Sequence, residues 1–154
     1  MIYLAADHRG FKLKEEIKEY LMKQGVEAED VGAFAYNQDD DYVDFARTAS
    51  EKIAENSGVN KGIFICGSGH GMNIVADKFK GLRAALCFNR QIAAQSREHD
   101  DANVLVLASD WIDSADAKDI VTVWLGKQFS GAERHIRRLE KIREIEKQCF
   151  NLKF

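Results

Sequence analysis

Short, continuous apolar runs alternate with segments of helical periodicity along nearly the whole chain, and this alternation restricts the fold more than any other feature. The clearest runs are residues 2–6 (IYLAA), 62–66 (GIFIC), 82–88 (LRAALCF) and 103–109 (NVLVLAS). Helical periodicity follows the first run, because Leu13, Ile17 and Leu21 recur four residues apart. Parallel strands that are covered by helices on both faces have this pattern. The sequence therefore predicts an α/β fold, a three-layer α/β/α domain.

The remaining elements are weaker in the sequence but complete the same pattern. The stretch from Val26 to Val31 predicts a fifth strand, and residues 43–56 predict a helix. Helical segments are also expected at residues 72–79 (MNIVADKF), at 90–98 (RQIAAQSRE) and from Ala115. Residues 133–148 place apolar side chains at helical spacing among many charges. We therefore expect a five-stranded parallel sheet and a C-terminal amphipathic helix. No internal repeat, linker or low-complexity tract divides the chain, which predicts a single domain over residues 1–154.

Composition and charge exclude several classes of protein. Of the 154 residues, 45% are hydrophobic and 31% are charged, which favours a folded, soluble domain over a disordered chain. The formal net charge of −3 gives no general attraction to nucleic acid. The three cysteines lack the spacing of a zinc site or a disulfide framework, which fits a reducing compartment. Because no export signal or membrane-spanning run is present, we expect a cytoplasmic protein without a membrane or nucleic-acid partner.

The carboxyl ends of parallel strands meet at one edge of the sheet, where such proteins bind their ligands. Asp7 and His8 directly follow the first apolar run, and Cys66 ends the run at 62–66. Ser109 ends a later run, so we expect it at the same edge. A neighbouring aspartate and histidine at a strand end can bind sugar hydroxyls or orient a proton. The alternative, that Asp7 and His8 are ordinary polar residues of a turn, stays open at this point.

A glycine-rich segment lies between a predicted strand and a predicted helix, and it consists of Cys66, Gly67, Ser68, Gly69, His70, Gly71 and Met72. Its glycines would let backbone N–H groups turn toward an anion, either a phosphate or a developing oxyanion. The same groups would lower the pKa of a thiol at Cys66. Alternatively, Cys66 is a small buried residue of the core, as cysteines in strands usually are. A dinucleotide site is disfavoured, because Met72 occupies the position of the third glycine in that motif.

Further candidates lie toward the C-terminus. His99 stands in the polar segment SREHDDAN, which we interpret as a loop, and a histidine there is suited to exchange protons near neutral pH. Arg134 and Arg138 are four residues apart on the predicted C-terminal helix, so they share a face suited to binding a phosphate. Each observation has a simpler alternative, namely an exposed histidine and a solvated basic helix face.

Five segments of the chain together resemble one protein family. They are ADH at residues 6–8, CGSGHGM at 66–72, KGLRAALC at 80–87, HDDANVL at 99–105 and ERHIRR at 133–138. In order and approximate spacing they resemble the ribose-5-phosphate isomerase B family, within the superfamily of ribose- and galactose-phosphate isomerases. The resemblance extends over nearly the entire chain.

The resemblance implies a Rossmann-like domain that forms a homodimer or homotetramer, with active sites at a subunit interface and no metal or organic cofactor. The implied reaction is the aldose–ketose interconversion of ribose 5-phosphate and ribulose 5-phosphate through an enediolate. Cys66 would be the base, and His99 would help to open the sugar ring. The residues implied to bind this sugar phosphate are Asp7, His8, Gly67, Ser68, Gly69, His70, Gly71, Asp100, Arg134 and Arg138, the two arginines at its phosphate.

Departures from the family pattern leave the substrate open. Some relatives use a glutamate at the position of Met72, whereas this chain retains Cys66, which places it in the cysteine-dependent branch. Asp110 stands where the family commonly has an arginine that helps to hold the phosphate, and Asp100 stands where an asparagine is usual. Both changes add negative charge, which a nearby lysine or arginine could restore. The alternatives are an isomerase of a hexose phosphate or an unphosphorylated aldose, or a non-catalytic module that binds sugar phosphates or nucleotides.

Overall fold

Five parallel strands form one sheet in the computed structural model, which describes residues 1–150. The strands are β1 (Ile2–Ala6), β2 (Ala28–Asp30), β3 (Lys61–Cys66), β4 (Ala84–Leu86) and β5 (Val104–Ala108). Their order across the sheet is β2-β1-β3-β5-β4. The central strand β3 is buried along almost its whole length, which explains its continuous apolar sequence. The predicted five-stranded parallel sheet is confirmed.

Helices cover both faces of this sheet. Within residues 1–150 they are α1 (Phe11–Lys23), α2 (Tyr42–Ala54), α3 (His70–Ala76), α4 (Arg90–Asp100), α5 (Ser114–Gly126) and α6 (Glu133–Cys149). One hydrophobic core lies between the sheet and α1, α4 and α5, and it encloses Trp124. A second core lies on the opposite face, between the sheet and α2 and α3. These two cores confirm the predicted three-layer α/β/α architecture.

The C-terminal amphipathic helix is confirmed as α6, which buries His135 and Leu139. Three of its other apolar side chains, Ile136, Ile142 and Ile145, remain substantially exposed. The single domain over residues 1–154 stays a prediction, and residues 151–154 lie outside the described part of the chain. Of the helices in residues 1–150, none is both long and apolar enough to cross a membrane. The cytoplasmic location stays a prediction.

The structure corrects our interpretation of the segment around His99. His99 and Asp100 are the last residues of α4 and not part of a loop. The buried residues of α4 are Ala93, Ser96 and Arg97, two of which are polar. The helix expected over residues 90–98 is confirmed, and only its end was placed too early. His99 and Asp100 extend α4 beyond its last buried position, so no apolar periodicity marks the true end of the helix.

The topology leaves a crevice at the carboxyl edge of the sheet between β1 and β3. The chain leaves β1 through α1 toward β2, on one side of the sheet, and leaves β3 through α3 toward β4, on the other side. The two helices also cover opposite faces. The strand ends between them are therefore not covered by either connection. Ligands of α/β proteins bind at such switch points.

Candidate active site

The crevice brings Asp7 and Cys66 together, and His8 follows Asp7 in the turn after β1. Ala6 at the end of β1 pairs with Ile65 of β3, so the next residues, Asp7 and Cys66, lie side by side. Cys66 also pairs with Ala108 of β5, so Ser109 follows at the same edge, as expected.

Backbone packing fixes the turn that follows β1. Asp7 is 5% exposed, and its Oδ1 accepts a hydrogen bond of 2.9 Å from the N–H of Gly10. A Cβ atom at Gly10 would collide with the carbonyl oxygen of Ile65, so this turn lies directly against β3. Burial raises the pKa of the Asp7 carboxyl and outweighs the lowering effect of the Gly10 hydrogen bond.

An aspartate that the sequence reasoning missed holds His8. Oδ1 of Asp40 accepts a hydrogen bond of 3.0 Å from the His8 N–H and lies 2.6 Å from Nδ1 of the ring. Tyr36 meets the same ring edge to face, at 6.3 Å between centroids. The other carboxylate oxygen of Asp40 is buried and has no hydrogen-bond partner among the described residues. No signal in the sequence distinguished Asp40 from its acidic neighbours Asp39 and Asp41.

The glycine-rich segment wraps around the thiol. Gly69 has a φ of 77°, a conformation that glycine adopts without strain, and α3 begins at the next residue, His70. His70 is exposed, Ser68 is half-buried, and the ring of Tyr42 lies within 2.6 Å of where a Cβ atom of Gly71 would stand. The backbone N–H groups of Met72 and Gly69 donate toward the Cys66 thiol.

The expected lowering of the Cys66 pKa is not what the structure gives. The thiol is 4% exposed, and burial raises its pKa, with a further contribution from the negative charge of Asp7. Hydrogen bonds from Met72 and Gly69 and the positive charge of Arg9 act in the opposite direction but are smaller. The prediction was wrong because it counted the backbone amides and not the cost of burying a thiolate.

Arg9 supplies the positive charge that the sequence left open at Asp110. The guanidinium of Arg9 forms an ion pair with the Asp110 carboxylate, which follows β5. The pair lies over Gly67, because a Cβ atom there would stand 2.5 Å from Nε of Arg9 and 2.9 Å from Oδ2 of Asp110. Arg9 stands next to Asp7 and His8, and this neighbourhood was the sequence signal that could have identified it.

The remaining candidates form a second group around His99. The His99 ring lies 4.4 Å from the ring of His135, between centroids, and Nδ1 of His135 is 2.8 Å from the Ser130 hydroxyl. Burial lowers the pKa of His135, and the positive charges of Arg134 and Arg138 act in the same direction. Both arginines are exposed on α6, beside His135.

Within one chain, the group around Cys66 and the group around His99 lie at opposite ends of the strands, one at the carboxyl edge of the sheet and the other at the amino edge. His99 and Asp100 end α4, which leads into the amino end of β5, whereas Cys66 is paired with the carboxyl end of β5. Since β5 has five residues and a strand rises by about 3.3 Å per residue, on the order of 16 Å separates the two edges. One chain therefore does not bring Cys66 and His99 together.

The fold and the crevice define an α/β protein with a buried thiol, donated backbone N–H groups and two titratable neighbours at the switch point of a parallel sheet. This arrangement suits proton transfer on a small polar molecule. Within residues 1–150, no three or more histidine, cysteine, aspartate or glutamate side chains are grouped so that they could hold a metal ion.

Comparisons with known proteins identify the family. The family model for Ribose/Galactose Isomerase matches residues 2–142, so the chain belongs to this family. Ribose-5-phosphate isomerase B from Escherichia coli is 41% identical over 147 residues, which are 96% of this chain and 97% of that protein. These findings confirm the resemblance noted in the sequence and the predicted class of enzyme, a sugar isomerase.

Solved structures agree with this assignment. Ribose-5-phosphate isomerase B from Mycoplasma genitalium, solved with bound ribulose 5-phosphate, is 40% identical and has a TM-score of 0.92 over 96% of each chain. The Clostridium thermocellum ribose-5-phosphate isomerase B is 44% identical, with a TM-score of 0.89 over 96% of this chain and 97% of that chain. The predicted fold is confirmed by these relatives.

Proposed function

We propose that this chain interconverts ribose 5-phosphate and ribulose 5-phosphate through an enediolate, with Cys66 as the base. The main support is the place of Cys66 at the switch point, beside Asp7 and beneath donated backbone N–H groups. The similarity to an enzyme of Mycoplasma genitalium that binds ribulose 5-phosphate supports the choice of substrate.

The thiolate of Cys66 takes the proton from C2, next to the C1 carbonyl, and returns it to C1. A proton passes from the C2 oxygen to the C1 oxygen in the enediolate, so that the C2 hydroxyl becomes the new carbonyl. Because burial raises the pKa of Cys66, only a minor fraction is thiolate at neutral pH, but that fraction is a stronger base than an ordinary thiolate. The N–H groups of Gly69 and Met72 offset part of the cost of the charge. Backbone N–H groups of the same segment, from Gly67 to Gly71, stabilise the enediolate oxygen.

A second copy of the chain completes the site. We propose that His99 of one subunit reaches the Cys66 edge of another and opens the sugar ring by moving a proton between the ring oxygen and the anomeric hydroxyl. The distance on the order of 16 Å within one chain supports this arrangement. Exposed aromatic side chains at Phe34, Tyr36 and Trp111 leave apolar surface for a subunit contact.

The other predicted residues take roles in substrate binding. Asp7 and His8 contact sugar hydroxyls at the Cys66 edge. Arg134 and Arg138 arrive with His99 from the second copy and bind the phosphate, since both are exposed and one helical turn apart. Asp100 accompanies His99 as an acceptor for a sugar hydroxyl.

The test is conversion of ribose 5-phosphate by the purified protein, with a metal chelator present throughout. We expect turnover by the wild type and a loss of about 10²- to 10⁴-fold in Cys66→Ala, which is the usual contribution of a positioned base. Cys87→Ala is the matched control, because Cys87 is a buried free cysteine away from the crevice. Equal activity of the wild type and Cys66→Ala would remove Cys66 from the reaction.

The substrate is tested in the same assay. If the folded wild type leaves ribose 5-phosphate unchanged but converts a hexose phosphate or a free aldose, the reaction class stands and the pentose phosphate is wrong. If it binds sugar phosphates without exchanging the substrate proton in heavy water, the chain is a binding module and the catalytic proposal fails.

A further inference from the structure

Arg9 and Asp110 form an ion pair that bridges three neighbouring strands at the Cys66 edge. Arg9 follows β1, Asp110 follows β5, and the pair lies over Gly67, which follows the central strand β3. Arg9 is 55% and Asp110 35% exposed, so both side chains can be reached from solvent.

We propose that Arg9 binds the phosphate group of the sugar substrate on the Cys66 side of the site, and that Asp110 holds the guanidinium in place until the phosphate displaces it. This inference rests on the proposed function, because it takes the substrate to be a sugar phosphate.

The side chains of Cys66 and Arg9 lie toward different faces of the sheet, so they contact different parts of the substrate. The Cys66 side chain packs in the core shared with α2 and α3, whereas Arg9 lies where a side chain of Gly67 would point. The groove beside Arg9 is lined by α1 and by the start of α5, which belong to the opposite face. The guanidinium therefore meets a part of the substrate remote from the carbon that reacts at the thiol.

The distance between Cys66 and the Arg9 guanidinium is short enough for a single sugar molecule to contact both. Cys66 and Gly67 are neighbours, so their Cα atoms are about 3.8 Å apart. A five-carbon chain is longer than this step and can extend from the thiol past Gly67 to the guanidinium. The phosphate at the end of that chain is the substrate group that carries negative charge and accepts paired hydrogen bonds from an arginine.

The groove beside Arg9 also offers other groups to an anion. Lys12, Ser109 and Ser114 line it, and Oγ of Ser114 is buried without a hydrogen-bond partner among the described residues. The Ser109 hydroxyl donates a 3.0 Å hydrogen bond to the carbonyl oxygen of Arg9, which fixes the backbone from which the arginine extends. Glu16 also lines the groove and opposes an anion there, so the positive charge of Arg9 is required.

Because Asp110 pairs with Arg9, substitutions at these two residues are expected to change phosphate binding in opposite directions. A carboxylate that pairs with Arg9 competes with phosphate for the same N–H groups. Removing the arginine should therefore weaken phosphate binding, and removing the charge of Asp110 should strengthen it. A pair with a purely structural role would give weaker or unchanged binding in both variants.

The experiment compares Arg9→Gln, Arg9→Lys and Asp110→Asn with the wild type. KM and kcat are measured for ribose 5-phosphate, and inorganic phosphate is used in parallel as a competitive inhibitor and as a stabiliser in thermal unfolding. Arg47→Gln is the matched control, because Arg47 is an exposed arginine that is ion-paired with Glu51 on α2.

We expect Arg9→Gln to raise KM and the phosphate inhibition constant by about 10-fold, as for the loss of one charged hydrogen-bonding partner, with a much smaller change in kcat. Arg9→Lys should recover part of the loss, Asp110→Asn should lower both constants, and Arg47→Gln should change neither. An unchanged KM in Arg9→Gln, or a loss confined to kcat, would overturn the proposal.

The thermal shift separates this proposal from the proposed function. If the wild type does not convert ribose 5-phosphate, but phosphate stabilises it and stabilises Arg9→Gln less, the proposed reaction fails and the Arg9 site stands. If phosphate stabilises Arg9→Gln and the wild type equally, the Arg9 site fails whatever the turnover.

Discussion

Two inactive variants are expected to restore activity when their subunits are exchanged. Cys66→Ala removes the proposed base at one edge of the sheet, and His99→Ala removes the proposed ring-opening group at the other. Because on the order of 16 Å separates these edges within a chain, a working site takes Cys66 from one subunit and His99 from another. A hybrid dimer of the two variants then contains one intact site and one site that lacks both groups.

The size of the recovery follows from counting sites. Random exchange of equal amounts makes about half of the dimers hybrids, and each hybrid has one working site of two, so about one quarter of wild-type activity is expected. The variants are mixed in denaturant, refolded together and assayed for conversion of ribose 5-phosphate. The same variants refolded separately and then combined are the control.

A second mixture distinguishes a shared site from one built within a single chain. Wild type exchanged with the double variant of Cys66 and His99 should retain about one quarter of wild-type activity if sites are shared, because both sites of a hybrid are then broken. A site within one chain would retain about one half. Recovery no greater than the sum of the separately refolded variants, together with this one-half value, would refute the shared site.

Three further predictions concern the pKa of the base, the glycine segment and a helix cap. Because burial raises the pKa of Cys66 and the thiolate is the base, kcat/KM should rise with pH on the alkaline side of neutrality, and a flat profile there would contradict this. Gly69→Ala should lower the free energy of unfolding in urea by about 1–3 kcal/mol, because Gly69 has a positive φ and a Cβ atom there would collide with Leu86. Gly126→Ala is the control and should not lower this free energy, because a Cβ atom there would meet open space. Asp113→Ala, which removes the N-cap of α5, should lower it by about 1 kcal/mol in the same assay.

The sequence was sufficient for the parts of the site that follow buried strands. Asp7 and Cys66 each stand at the end of a continuous apolar run, and parallel strands bring such ends to one edge. Pairing of β1 with β3 then follows from the topology, which the strand pattern restricts but does not fix. The switch point between them became visible only with the strand order.

Residues on surface helices were harder to place. His99 lies in the last turn of a helix that was expected over residues 90–98, but the buried positions near its end include the polar Ser96 and Arg97, so the sequence placed that end too early. Arg9 and Asp110 are separated by 101 residues, and a contact between two exposed charges leaves no local pattern. The predicted lowering of the Cys66 pKa was wrong for a related reason. The burial that raises this pKa depends on packing from several elements at once, which no local pattern shows.

The close contact between Gly10 and the main chain of Ile65 affects how the substrate specificity of this enzyme can change. Asp7 and Cys66 keep their relative position through contacts of main chain with main chain, which do not depend on which side chains surround them. Arg9 extends outward from the same turn and remains open to solvent. Under the role proposed for Arg9, substitutions at this residue alter which sugars are accepted and leave the relative position of Asp7 and Cys66 unchanged.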